Sequence, residues 1–262
     1  MQYILSLSYG KDSLACLGAI ELLGWLLDRI VHVEVWATDT IPGDLPPMVE
    51  FKARADEIIK ARWGITVEHV RAALTYEQGF YSVFGSDRNR CKRKGLIYGW
   101  PFQRGPWCNS RLKSAALGQC HPKESVSYRG IAADEPKRLA RLDGVTAVSP
   151  LAAAGWTEAM CRKWCEENDL LSPIYTGSTR GGCWFCHNQS VGQLRLLRRN
   201  YPEYWALMLR WDNDSPVTFD SKGHTLHDYE RRFQMEDEGL ISPNDKLFRW
   251  AMLTEELNLI FF

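Results

Sequence analysis

The chain has no net charge: 32 lysines and arginines offset 32 aspartates and glutamates. A global positive field for nucleic acid is therefore excluded, and any polyanion contact must come from a local patch. Long hydrophobic runs are missing too. The opening Met1-Gln2-Tyr3-Ile4-Leu5-Ser6-Leu7 turns polar far short of the roughly 20 apolar residues needed to span a bilayer. It also lacks the basic stretch of a secretory leader, so a cytoplasmic protein with no membrane partner is expected. The C-terminal third reads as helical and tryptophan-bearing, with no repeat and no low-complexity tract.

Cysteine is not scarce. Eight are present: Cys16, Cys91, Cys108, Cys120, Cys161, Cys165, Cys183 and Cys186. In a reducing compartment such a set points to metal ligands, catalysis or buried small residues rather than disulfides.

Short β-rich runs alternate with helical ones. Strands are expected over residues 2–8, 30–37, 65–70, 125–131 and 145–150, and helices over 13–27, 48–63, 109–117, 157–168 and 191–210. Thr157 reads as a helix N-cap. The alternation predicts an α/β fold: a doubly wound, mainly parallel five-stranded sheet with helices on both faces, plus a helical C-terminal extension. Residues 1–190 form the expected nucleotide-binding domain, interrupted by an insertion over about 74–107, and 191–262 form the extension. The insertion carries a basic stretch with Arg88, Arg90, Lys92, Arg93, Lys94 and Arg104, either a solvated loop or a phosphate contact.

The string Ser8-Tyr9-Gly10-Lys11-Asp12-Ser13 sits between the first strand and the first helix. There, loop N–H groups and the helix dipole converge on one point and favour an anion. Gly10 allows close backbone approach, Lys11 supplies charge, and Ser8 and Ser13 supply hydroxyls. The four residues that separate the two glycines of a Walker A loop are absent.

This string resembles the PP-loop of the adenine nucleotide α-hydrolase superfamily. Further segments resemble its branch of 3′-phosphoadenosine 5′-phosphosulfate (PAPS) reductases, close to the ATP pyrophosphatases of DNA phosphorothioation and to prophage-encoded members. These are Asp39-Thr40 after strand two, Trp107-Cys108-Asn109-Ser110-Arg111-Leu112-Lys113, and Tyr128-Arg129-Gly130-Ile131-Ala132-Ala133-Asp134-Glu135 with Arg138. Gly155-Trp156-Thr157, Pro173-Ile174-Tyr175 and Gly182-Cys183-Trp184-Phe185-Cys186 complete the set. Ala132 stands where the branch has an arginine, so one anion contact is missing from the pattern.

The resemblance implies a nucleotide site of Ser8, Tyr9, Gly10, Lys11, Asp12, Ser13, Asp39, Thr40 and Gly130. It implies catalytic roles for Lys11, Asp12, Arg111, Lys113 and Arg138. ATP and Mg2+ are the expected cofactors, with Asp134 or Glu135 as further candidate carboxylates for the metal or the nucleotide.

Cys183-x-x-Cys186 has chelating spacing, and Cys108 adds a third thiolate. Cys161, in the first turn of its helix at the same sheet edge, is the expected fourth ligand, with Cys91 and His187 in reserve. Cys120 should lie at the opposite edge. The resemblance implies a 4Fe–4S cluster, with zinc as the alternative. Cys161 and Cys165 can equally be packed as small apolar residues.

The chemistry implied is that of an ATP pyrophosphatase of sulfurtransferase type. An acceptor is adenylated by attack at the α-phosphorus and then displaced, typically by sulfur. The expected partners are a nucleotide, a sulfur donor such as a cysteine desulfurase, and a DNA, tRNA or small-molecule acceptor, with a homodimer open. The alternatives are PAPS or adenylylsulfate reductase chemistry, opposed by the lack of any cysteine after Cys186, and a non-catalytic nucleotide-binding module. In the extension, Arg195, Arg198 and Arg199 are candidate polyanion contacts, while His224, His227 and Asp228 are a weak metal signal.

Overall fold

In a computed structural model, which describes residues 1–85, 94–101, 106–142, 146–176, 182–245 and 248–253, the alternating runs become a single parallel sheet. Its strands are β1 Gln2–Ser6, β2 Arg29–Glu34, β3 Val67–Arg71, β4 Ser125–Tyr128 and β5 Ala147–Val148. The helices are α1 Lys11–Leu23, α2 Pro46–Trp63, α3 Tyr76–Phe80, α4 Ala115–Cys120, α5 Pro136–Leu139, α6 Pro150–Ala153, α7 Glu158–Glu167, α8 Val191–Asn200, α9 Pro202–Asp214 and α10 Leu226–Asp237. A π-helical stretch, Asn109–Ser114, runs straight into α4.

The strand order is β3-β2-β1-β4-β5, and every neighbouring pair is parallel, as expected for a doubly wound fold. The chain builds outward from β1 to β3, then returns to lay β4 on the other side of β1. That reversal makes the β1–β4 boundary the switch point where such sheets bind ligands, beyond the C-terminal strand ends. Right-handed crossovers set α1 and α2 on one face and α4 on the other.

Eight consecutive residues of α1, 13–20, are buried, because the sheet covers one side and α6 and α7 the other. This explains the run of small and apolar side chains Leu14, Ala15, Cys16, Leu17, Gly18, Ala19 and Ile20, which has no polar stripe. Each fully buried leucine or isoleucine there contributes about 1.5–3 kcal/mol. Thr157 caps α7 as expected, its hydroxyl accepting from the Met160 N–H at 3.4 Å.

The chain divides into two units: residues 1–77 with 108–184, and residues 78–107 with 185–262. The segment read as an insertion belongs with the C-terminal region rather than with the sheet. In the second unit, Phe80, Trp100, Trp211 and Phe219 form an aromatic core. Asp212 is buried beside it, accepting from Trp100 Nε1 at 2.7 Å and from the Leu226 N–H at 2.8 Å. The single helix expected over 191–210 is two helices, broken at Pro202, whose ring removes an N–H and clashes with the preceding turn.

Candidate functional site

β1 delivers its C-terminal end into the tight loop before α1. The Ser13 hydroxyl organises this loop: it accepts from the Ser8 N–H at 3.1 Å, meets the Ser8 hydroxyl at 3.0 Å and donates to the Gly10 carbonyl at 3.0 Å. The Lys11 N–H donates to the Tyr175 hydroxyl at 3.1 Å, which ties the loop to the Pro173-Ile174-Tyr175 turn. The left-handed residue is Tyr9, with φ 55°, and not Gly10, whose φ is −78°. A Cβ on Gly10 would meet only ordinary contacts, so its backbone does not demand glycine. Gly130 is different: a Cβ there would stand 2.6 Å from the Ser13 nitrogen and 2.7 Å from the Asp12 carbonyl carbon. Glycine lets the end of β4 close onto the start of α1.

At the switch point lies a cavity of about 310 Å3, lined by the hydroxyl residues Ser6, Ser8 and Ser13, by Gly130, and by Arg129, Arg138 and Arg141. Hydroxyls, a helix N-terminus and three guanidinium groups make an anion site. Ala132 lacks the expected cation, but Arg129 and Arg141 bring two others to the same cavity. Arg129 stands inside the Tyr128–Glu135 motif with no role assigned by it, and Arg141 lies three residues past Arg138 on a turn whose direction the motif does not specify.

Beside it, Asp12, Glu135 and Glu158 bring carboxylate oxygens within 4.8 Å of one another, a set that can hold a divalent cation. Lys11 bridges this group, 2.7 Å from Asp12 and 3.6 Å from Glu158. Burial works against the Lys11 ammonium, but Asp12 and Glu158 outweigh it and raise its pKa. Arg138 donates to both Glu135 oxygens at 2.6 and 2.7 Å. Asp134 faces elsewhere, accepting the Glu158 N–H at the start of α7.

A second cavity of about 280 Å3 opens over β1 and β2, lined among others by Gly10, His32, Asp44, Lys52, Lys113 and Cys183. Its walls are largely apolar, through Leu7, Val31, Val33, Val35, Met48 and Ile174. Its polar corner was not anticipated. Lys52 donates to Asp44 at 2.5 Å and contacts His32 Nε2 at 2.8 Å, while His32 Nδ1 meets the Leu7 carbonyl at 2.9 Å. Burial and the Lys52 charge lower the His32 pKa to about 3, so the ring is neutral: Nδ1 donates and Nε2 accepts from Lys52. A signal was present in the sequence, because Lys52 interrupts the apolar stripe Met48, Phe51, Ala55 and Ile59 of α2.

The other expected residues are placed as follows. Lys113 reaches the 280 Å3 cavity, whereas Arg111 is exposed and lines neither cavity. Asp39 and Thr40 are exposed after β2, with Asp39 3.9 Å from Arg71, and line neither cavity. Cys161 and Cys165 are fully buried, in one core cluster with Cys16, and burial pushes both thiols up to about 12. Cys108, Cys161 and Cys183 do not converge: among the described residues, the carboxylate trio is the one set of three or more His, Cys, Asp or Glu with ligand atoms within 4.8 Å of one another. Cys186 belongs to the second unit, and Cys91 lies outside the described residues, as do Arg88, Arg90, Lys92, Arg93 and Arg104. Cys120 lies near the start of β2, its carbonyl accepting from Arg29 at 3.0 Å, which is the opposite sheet edge as expected.

In the second unit, Arg195 is paired with Glu236, and Arg198 with Glu230 and Asp237, so these two are not open polyanion contacts. His224 binds Asp220 at 2.8 Å, His227 binds Asn213 at 2.8 Å, and Asp228 closes a capping box with Thr225. The H-x-x-H pair is therefore spent on separate partners. His187 is buried in the same unit.

Comparison with family models, curated proteins and solved structures returned no match.

Proposed function

We propose that the chain is an ATP pyrophosphatase of PP-loop type that activates an acceptor by adenylation. The observation that carries this reading is the crevice at the β1–β4 switch point. There the Ser8 and Ser13 hydroxyls, the α1 N-terminus and three arginines meet Lys11 and a carboxylate trio. A triphosphate is the common ligand that calls for a concentrated cationic cradle and a divalent-cation site side by side.

The β- and γ-phosphates occupy the arginine-lined cavity, and the nucleoside lies in the apolar 280 Å3 cavity across the loop. An acceptor nucleophile forms a bond to the α-phosphorus, and the bond from that phosphorus to the α–β bridging oxygen breaks. Pyrophosphate leaves with the electron pair, and the acceptor carries AMP. A sulfur nucleophile then displaces AMP. Lys11, Arg138 and Arg141 neutralise charge on the departing pyrophosphate, while Ser8 and Ser13 donate to its oxygens. Asp12, Glu135 and Glu158 would hold Mg2+, which supplies further charge neutralisation when bound. Cys108 and Cys183 would supply thiolates to a cluster or zinc, and the adenylation chemistry draws on neither.

The test is pyrophosphate release from ATP and Mg2+, with a sulfur donor and candidate acceptors (DNA, tRNA and small thiols), compared with Lys11→Ala. Magnesium-dependent release that falls by about 100-fold or more in the variant is expected. No release and no ATP binding by the wild type would sink the reading.

A further inference from the structure

Tyr9 sits inside the nucleotide loop in a backbone conformation that side-chain-bearing residues rarely adopt, with φ 55°. Such a conformation persists only where its surroundings over-determine it. The surroundings here are specific. Tyr9 is almost fully buried, and its hydroxyl donates to Asp56 on α2. The same hydroxyl lies 3.1 Å from Nε2 of His69 on β3. His69 Nε2 is 2.8 Å from the other Asp56 oxygen, and His69 Nδ1 is 2.8 Å from Glu34 on β2. Both ring nitrogens thus face carboxylates. Trp36 Nε1 donates to the second Glu34 oxygen at 3.1 Å. The ring itself is held by the edge of His32, centroids 4.8 Å apart, and by the Lys52 ammonium 5.2 Å above it.

We propose that Tyr9 is a positioning residue, a strut that fixes the loop by anchoring residue 9 to Asp56 and His69, so that the geometry of the Ser8–Ser13 hydroxyl pair is set from the far half of the sheet. The sequence offers a reason for this device. Glycine would adopt the left-handed backbone without a steric penalty but would leave the loop free to leave it. Tyrosine imposes a cost that only its anchored side chain offsets, which confines the loop to one conformation before any ligand arrives. That the ligand is a nucleotide rests on the function proposed above; the strut itself does not.

Three loop amides have defined acceptors and report on it: Ser8 to Ser13 Oγ, Lys11 to Tyr175 and Leu14 to the Gly10 carbonyl. Two sheet amides serve as controls: Leu7 to the Val31 carbonyl and Arg129 to the Val148 carbonyl. Hydrogen exchange is measured on the ligand-free chain for wild type, Tyr9→Phe, Asp56→Asn and Tyr9→Gly. Loss of the hydroxyl, of the carboxylate charge or of the whole side chain should speed exchange at the three loop amides by about tenfold, with the controls unchanged. ATP–Mg2+ dissociation constants should rise by about fivefold or more in the same variants. Unchanged loop exchange in Tyr9→Phe and Asp56→Asn overturns the proposal, as does a uniform rise that includes Leu7 and Arg129. Wild-type affinity in Tyr9→Gly overturns it too. Should Tyr9→Phe not fold, Asp56→Asn and His69→Asn decide by the same exchange readout. If the wild type does not bind ATP, the functional reading fails, while the exchange data still decide the strut.

Discussion

A Cβ placed on Gly130 would lie 2.6 Å from the backbone nitrogen of Ser13, closer than real Cβ atoms approach anything. The obstructing atoms are backbone, so no rotamer change relieves the contact. Gly130→Ala is therefore expected to force β4 and α1 apart, costing about 1–3 kcal/mol. Urea unfolding measures it, with Gly118→Ala as the control. That position has nothing within 4 Å, and helix propensity there favours alanine by up to about 1 kcal/mol.

Arg141 is exposed and lines the switch-point cavity. In the proposed nucleotide site its role is electrostatic. Arg141→Ala should change unfolding free energy by less than about 0.5 kcal/mol while weakening ATP affinity by about tenfold or more. Titration calorimetry at two salt concentrations checks both points, because the loss should shrink as salt rises. Lys163→Ala removes an exposed charge elsewhere and should bind like the wild type.

His32 gives the molecule a pH dependence with a definite sign. Its pKa is lowered from 6.5 to about 3, first by burial and then by Lys52. The folded state therefore refuses a proton that the unfolded chain takes up. Stability should be level above pH about 6.5 and fall as pH drops below it, by up to about 1.4 kcal/mol per unit. Glu34, Glu230, Glu236 and Asp220 are also lowered and add a loss of the same sign further into acid. The window from about pH 6.5 to 5 contains the histidine contributions, from His32 and from His121, whose pKa burial also lowers, and the His32 variant separates the two. Unfolding free energies at pH 7 and 5.5 should differ less in His32→Asn than in the wild type, and equal differences would refute the assignment.

Metal content separates the cysteines. With Cys161 sealed in the core, Cys161→Ala should leave the iron or zinc stoichiometry of anaerobically purified protein unchanged, at a cost of about 1 kcal/mol in stability. Cys183→Ser should reduce that stoichiometry. Elemental analysis of the two variants checks it, and loss of metal in Cys161→Ala would restore that thiol as a ligand.

The sheet was legible because strand and helix periodicities alternate strongly, and the loop between β1 and α1 because its residues are contiguous. Strand ends were overestimated: β1 stops at Ser6 rather than Ser8, and β2 at Glu34 rather than Ala37. The helix break was hidden because Leu194, Leu197 and Trp205 bury toward one core on both sides of Pro202, so the apolar spacing runs on across it. Cys161 and Cys165 share the i, i+4 face of α7 turned into the core, the packed placement that their spacing also allowed. Arg129, Arg141, Lys52 and Tyr9 owe their surroundings to contacts far apart in sequence, which no local pattern encodes.

The central position of β1 also governs the order in which the molecule can be made. Its register with β2 joins residues about 25 apart, Ile4 with Arg29, whereas its register with β4 joins Gln2 with Ser125. During synthesis the first edge is paired early, while the second waits until residue 128 has emerged. Until then the nascent chain presents an open, apolar strand edge, the kind that templates aggregation. The crevice between β1 and β4 is thus completed only after its last lining residue, Leu142, has emerged, and its acquisition of ligand affinity can serve as a timer for that stage of folding.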